Sequence, residues 1–254
     1  MVRIAAVGDL HVRPGTAARL RPRYQRAADV ADLLLLAGDL TEAGDIPSAA
    51  QVCEVFGGLD LPVIAVLGNH DYDRGEETAI AAMLTDAGVT VLEGTATVVD
   101  IAGRQVGIAG AKGFGGGFAG RTVAAHGEPE MKAFACHAET AAQTLRDALG
   151  QLDVDLRVAL THYAPSRDTL AGEPFEIYPF LGSYLLGAAI DDEPASHTQG
   201  AGTRHPVTLA LHGHAHYGTE VGVTPAGTPV RNVAAPVIGA PFAVYQLPDV
   251  HRIG

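Results

Sequence analysis

Three apolar runs in the first seventy residues constrain the fold more than any other feature. VRIAAVG (2–8), ADLLLLAG (31–38) and LPVIAVLG (61–68) are near-continuous in hydrophobic residues, the pattern of strands covered on both faces. Residues 16–30 and 47–58 between them have helical composition. Short apolar strands separated by helices predict a parallel sheet with right-handed crossovers.

From residue 89 the pattern changes. VTVLEG (89–94), ATVVDIAG (96–103) and RQVGIAGA (104–111) are short alternating segments with glycine turns, which predicts antiparallel pairing. A long helix over 128–151 and the strand LRVALTH (156–162) are expected next. Residues 163–206 read as irregular, with one short helix near 183–190. After PVTLALHGH (206–214) come TEVGVTP (219–225) and TPVRNVA (228–234), joined by an Ala226-Gly227 turn, and then FAVYQL (242–247). No internal repeat or low-complexity linker divides the chain, so residues 1–254 are expected to form a single domain.

The first three strands share an ending. Each closes in glycine followed by polar residues: GDLH (8–11), GDLTE (38–42) and GNHD (68–71). In an open parallel sheet, ligands bind beyond the carboxyl ends of the strands. Asp9, His11, Asp39, Asn69, His70 and Asp71 are therefore expected in one crevice. Taken singly, such tripeptides are ordinary turn formers. Two later strands end alike, in Thr161-His162 and in GHAH (213–216), and five such endings in one chain point to a shared task. Asp9 and His11, like His214 and His216, are two apart, which places each pair on one side of extended backbone.

This ordered set resembles the calcineurin-like metallophosphoesterase family, whose pattern is D-x-H, GD, GNH[DE], a later His and GHxH. The resemblance is strong over 1–90 and good over 155–235. It implies a four-layer α/β/β/α sandwich of two mixed sheets flanked by helices, with two divalent metal ions at the sheet edges. By the same resemblance, one ion is held by Asp9, His11, Asp39 and His216. The other is held by Asp39, Asn69, His162 and His214, with Asp39 bridging. Imidazole, carboxylate and amide donors without thiolate suit Mn, Fe, Zn or Co, with Mn favoured, over Mg or Ca. The implied chemistry is phosphoester hydrolysis by a metal-bound hydroxide. His70 is the expected proton donor, or else a further ligand, and Asp71 is expected to hold its ring. His212 is left over, as a residue orienting a ligand or touching substrate, or as a core histidine bonded to backbone.

Charge and composition narrow the partners. A formal charge of −12 disfavours a general nucleic-acid surface, so small phosphodiesters or nucleotides are expected rather than long nucleic acid. Arg13, Arg19, Arg21, Arg23 and Arg26 nonetheless lie together without an acidic residue among them. Arg13 is a candidate clamp for a second phosphate or a carboxylate, and the other four read as a solvated face. Cys53 and Cys136 are isolated, with no zinc spacing. No signal peptide or membrane-length run is legible, and a cytoplasmic protein is expected.

Two further stretches stand out. The glycine-rich AGAKGFGGGFAGR (109–121) lacks the G-x4-G-K-[ST] arrangement, and no Ser or Thr follows Lys112. It is not a P-loop; it reads as an inter-strand connection or a loop at the metal rim. Tyr163, Phe175, Tyr178, Phe180 and Tyr184 crowd the stretch after His162. They either stack on a nucleobase or aryl leaving group, with Tyr163 a candidate substrate contact, or form a self-packed lid or a contact between copies of a homo-oligomer. A metallo-β-lactamase site requires HxHxDH, which is absent, since Tyr217-Gly218 follow His216. A catalytically silent scaffold of the same fold would be expected to lack ligands, and none is missing.

Overall fold

The computed structural model describes residues 1–118, 120–191 and 205–253. Of the stretch 163–206 expected to be irregular, residues 192–204 lie outside the described residues.

The first sheet is built as the apolar runs require. β1 (Val2–Val7), β2 (Leu33–Ala37) and β3 (Val63–Val66) pair in parallel, and Leu33 to Leu36 are fully buried. The predicted helix over 16–30 is two pieces, α1 (Ala17–Gln25) and α2 (Ala27–Val30), followed after β2 by α3 (Ile46–Phe56). The helix α4 (Glu77–Asp86) escaped sequence reading. VTVLEG departs from expectation as well: its strand β4 (Val89–Val91) joins the first sheet in parallel beside β3. The crossover through α4 explains this, since a strand returning after a helix pairs in parallel.

The second sheet is mixed. β5 (Thr95–Ile101) and β6 (Arg104–Ala111) form the predicted antiparallel hairpin. A two-stranded ribbon, β7 (Gly117–Phe118) with β8 (Arg121–Thr122), and the long helix α5 (Pro129–Gly150) follow. β9 (Leu156–Thr161) then pairs in parallel with β6. Beyond α6 (Tyr178–Leu181) and α7 (Tyr184–Asp191), β10 (Leu209–His212) lies parallel to β9. β11 (Val221–Val223) and β12 (Pro229–Asn232) form the hairpin expected around Ala226-Gly227. After α8 (Ala235–Ile238), β13 (Ala243–Leu247) returns antiparallel to β1, with β14 (His251–Ile253) at its edge. The sheet orders are β14-β13-β1-β2-β3-β4 and β11-β12-β10-β9-β6-β5.

Alternation of side chains sets the layers. Ile108, Val158, Leu209 and Leu211 of the second sheet share the central core with the first sheet. Their neighbours Ala109, Ala159 and Ala210 face the other way, against Ala142, Leu145 and Leu149 of α5. Small residues on that outer face let the helix approach closely, and its buried positions recur every three or four residues. The result is the four-layer sandwich that the motifs implied. Among the described residues, no helix is long and apolar enough to cross a membrane.

The two sheets meet tightly at one end. Gly8 N–H donates to Val233 O at 2.8 Å, and His214 N–H donates to the Asp9 carboxylate at 2.9 Å. At Gly68, a Cβ would stand 2.1 Å from Asp39 N and Oδ1. Gly68→Ala is therefore expected to cost about 2–3 kcal/mol and to weaken divalent-metal binding, as read by urea titration with and without metal.

Candidate metal centre

Beyond their last hydrogen-bonded residues, the strands do not stay extended. Asp9, His11, Asp39 and His214 all have positive φ, at 58°, 45°, 48° and 70°. The expectation that Asp9 and His11, like His214 and His216, share one side of extended backbone is thus replaced: after β1, β2 and β10 the chain takes left-handed positions. Left-handed backbone costs roughly 1–2 kcal/mol per non-glycine residue, and such strain collects at functional sites. The strained loops are held by each other. Asp9 N–H donates to Gly38 O, Leu10 and His11 N–H both donate to Asp39 O, and Val12 N–H donates to Leu40 O, all at 2.9–3.0 Å.

Two groups of donors converge. One ligand atom each from Asp9, His11, Asp39 and His216 lie within 4.8 Å of one another, as do those of Asp39, His162 and His214. Asn69 completes the second group, its Oδ1 2.9 Å from His162 Nε2. Asp39 belongs to both, with Oδ2 3.7 Å from His11 Nε2 and Oδ1 3.3 Å from His162 Nε2.

Hydrogen-bond chemistry indicates what these groups lack. A carbonyl only accepts, so His162 donates from Nδ1 to Ala37 O at 2.9 Å. Its Nε2 lone pair then points at the Asn69 amide and the Asp39 carboxylate, an arrangement of neutral donors and one anion that suits a divalent cation. His11 Nε2 is buried without a hydrogen-bond partner, and burial holds its ring below the ordinary histidine range. His214 donates to Phe180 O at 3.2 Å, which leaves its other nitrogen as a lone pair. Burial, aided by nearby His162, pushes its pKa down to about 3. Neutral imidazoles beside carboxylates fit a divalent-metal site.

His216 behaves differently. Its hydrogen bond to Asp9 at 2.8 Å raises its pKa. Burial alone would raise the Asp9 carboxyl, but that bond and the fields of His162 and His216 outweigh it, so its pKa is lowered.

A sequence profile described as Calcineurin-like phosphoesterase matches residues 2–218. The chain belongs to that family. Solved structures with the same fold include phosphopantetheinyl hydrolase from Mycobacterium tuberculosis, at 17% identity and TM-score 0.63, covering 92% of this chain and 89% of that one. NAD nucleotidase from Haemophilus influenzae is similar at 15% identity and TM-score 0.54; all of this chain aligns, but with 49% of that longer protein. GAP50, the anchor in the inner membrane complex of Plasmodium, aligns at 12% identity and TM-score 0.55 over 96% of this chain and 80% of its own. No curated protein sequence matches.

In this member of the calcineurin-like family, three of the sequence expectations need correction, and His212 takes the second of its two readings, a core histidine bonded to backbone. Asp71 does not hold the His70 ring. It is fully buried and accepts from Gly68 N–H, Leu40 N–H, Thr41 N–H and the Thr41 hydroxyl at 2.6–3.1 Å. The 3-10 turn over His70–Tyr72 points the two side chains apart. His70 instead donates from Nδ1 to Glu42 O at 3.1 Å, with Asp73 the neighbouring carboxylate at 3.4 Å. His212 faces away from both donor groups, fully buried, with Nδ1 donating to Gly213 O and Nε2 accepting from the Thr169 hydroxyl, both at 2.7 Å. Burial pushes its pKa down to about 4. Arg13 is no free clamp: it pairs with Glu42 at 2.7 Å, and the other Glu42 oxygen lies 3.4 Å from His11 Nδ1. Tyr163 is buried, its ring 4.5 Å from that of His214, so it steadies that side chain rather than waiting for substrate.

The aromatic stretch is self-packed only in part, with Phe175, Phe180 and Tyr184 exposed. Phe175 and Tyr178 stack at 4.8 Å, and the Tyr178 hydroxyl donates to Leu170 O. Phe180 is 60% exposed, and its backbone carbonyl holds His214. Sequence reasoning missed Glu42, which serves His11 with its carboxylate and His70 with its carbonyl. GDLTE carried the residue, but the contact arises from the Val12–Thr41 bridge across strand ends.

Removing Asp71 strips partners from three buried N–H groups. Asp71→Ala is expected to cost about 3–5 kcal/mol, with metal affinity reduced and Asp71→Asn intermediate, as read by chemical denaturation and metal titration. His212 gives a pH signature. An unfolded histidine protonates near 6.5 and folded His212 near 4, so the unfolded state binds more protons between those values. Stability thus falls as pH drops through that window, by on the order of 3 kcal/mol from this group. Melting of metal-free protein should lose less stability from pH 6.5 to 4 in His212→Gln than in wild type; parallel curves would contradict the assignment.

Proposed function

We propose that this protein is a dinuclear metal-dependent phosphoesterase acting on small phosphoesters, phosphodiesters or nucleotides in particular. The observation that carries this reading is the Asp39 carboxylate, whose two oxygens each face a different imidazole of a different donor group. In the proposed site Asp9, His11, Asp39 and His216 hold one ion, and Asp39, Asn69, His162 and His214 hold the other. Two divalent ions, Mn by preference, would supply Lewis acidity toward phosphoryl oxygens and a nucleophile drawn from water at neutral pH.

The chain's own residues do the rest. Asp39 also accepts from His70 N–H at 2.9 Å, which fixes His70 relative to the bridging carboxylate. With Nδ1 on Glu42 O, His70 keeps Nε2 for the leaving alkoxide as its proton donor. Glu42 orients His11, and Arg13 balances the Glu42 charge. Tyr163 and Phe180 O hold His214 in one orientation. A silent scaffold of this fold is disfavoured because every donor position is filled.

The test combines metal analysis with turnover of a bis-aryl phosphodiester, an aryl phosphomonoester and a cyclic nucleotide in Mn-supplemented buffer. Asp39→Asn should lose bound metal and activity together. His70→Ala should keep its metal while kcat falls about 10²–10⁴-fold. No divalent metal bound after reconstitution would sink the reading and favour a scaffold.

A further inference from the structure

Lys112 sits in the glycine-rich segment whose phosphate-loop reading the sequence excluded. It directly follows β6, and its carbonyl accepts from His162 N–H at 3.0 Å and Tyr163 N–H at 3.1 Å. The residue is thereby tied to the second donor group. Its ammonium lies 4.7 Å from the ring centroid of Tyr72, 5.3 Å from Tyr163 and 5.5 Å from Phe114. Tyr72 is two residues beyond His70, and Tyr163 packs on His214.

The ammonium has no direct acidic partner. Among the described residues it makes no ion pair or hydrogen bond. Glu93 lies close enough to act on it electrostatically, but one Glu93 oxygen accepts from Leu67 N–H and the other from the Tyr72 hydroxyl. Arg13 and Arg74, by contrast, are engaged with Glu42 and Asp45. Burial draws the Lys112 pKa down, while the fields of Glu93, Asp39 and Glu77 pull the other way. Ring faces offer a partly desolvated cation about 0.5–2 kcal/mol and engage none of its three N–H donors in a hydrogen bond to an oxygen.

We propose that Lys112 forms a second anion subsite, receiving a phosphate that the substrate carries one bridge away from the phosphoryl group at the metals. The preferred substrate class is then a diphosphate-bridged ester, such as a nucleoside diphosphate derivative. Arg13 drew this role from the sequence, but Glu42 occupies it. The inference rests on the phosphoesterase reading for its place in a reaction and is tested by binding, which does not depend on turnover.

Calorimetry on Mn-reconstituted protein would compare α,β-methylene-ADP with AMP, two probes that share a nucleoside and differ by one phosphate. Wild type should favour the diphosphate tenfold or more. Lys112→Met should collapse that ratio to within about threefold, and Lys112→Arg should retain most of it. A cation that merely props the three rings would weaken both probes together and leave the ratio intact. Lys112→Gln serves as the second neutral variant should Lys112→Met melt early. A wild-type ratio near one, or a ratio unchanged in both neutral variants, overturns the subsite. Retained preference without any phosphoester turnover would instead leave the subsite standing and refute the hydrolase.

Discussion

The meeting of Asp39 with His162 is the contact on which the rest of the site depends. One belongs to the first sheet and the other to the second, and both are buried. Apolar packing between the sheets is strong but undirected, and it does not fix how far one sheet slides over the other. Directional bonds at the crevice do that: His162 Nδ1 to Ala37 O, and His214 N–H to Asp9. Once these are made, the five strand ends have little room to move.

Convergence has a cost, since acceptors brought together repel and left-handed backbone is strained. Several features offset it. The loops after β1 and β2 lock to one another by five backbone hydrogen bonds. Asp71 gathers three N–H groups and a hydroxyl from the loops after β2 and β3. What remains is the repulsion between the Asp39 carboxylate and the His162 Nε2 lone pair, together with the orphaned His11 nitrogen. Positive charge at those two points would remove it, so the folded scaffold fits a cation.

The strand-terminal donors were legible because each lies one to three residues beyond an apolar run, and a run's end is a local signal. The four layers came from the family resemblance, and the structure shows what builds them: Ala109, Ala159 and Ala210 alternate with large aliphatics at period two. Misreadings fell where local spacing does not carry direction. Asp71 follows His70, yet a 3-10 turn separates their side chains. His212 shares the parity of His214, yet β10 has ended between them and the chain has turned left-handed. β4 looked antiparallel by composition, because the helix ahead of it has a weak amphipathic pattern.

The sequence by itself determined the parallel strands of the first sheet and the polar residues that end them, and its ordered motifs, through their resemblance to a family, implied the layers and the donor groups, since hydrophobic periodicity and residue type are properties of the chain. Only the tertiary structure decided which polar neighbours serve the site and which serve the scaffold. Glu42, Asp73 and Lys112 come to the crevice, while Asp71 and His212 turn inward. Those choices rest on backbone amides and carbonyls supplied from elsewhere in the chain, about thirty residues away for Asp71. A buried polar group goes where such partners are, and their positions exist only once the sheets have closed.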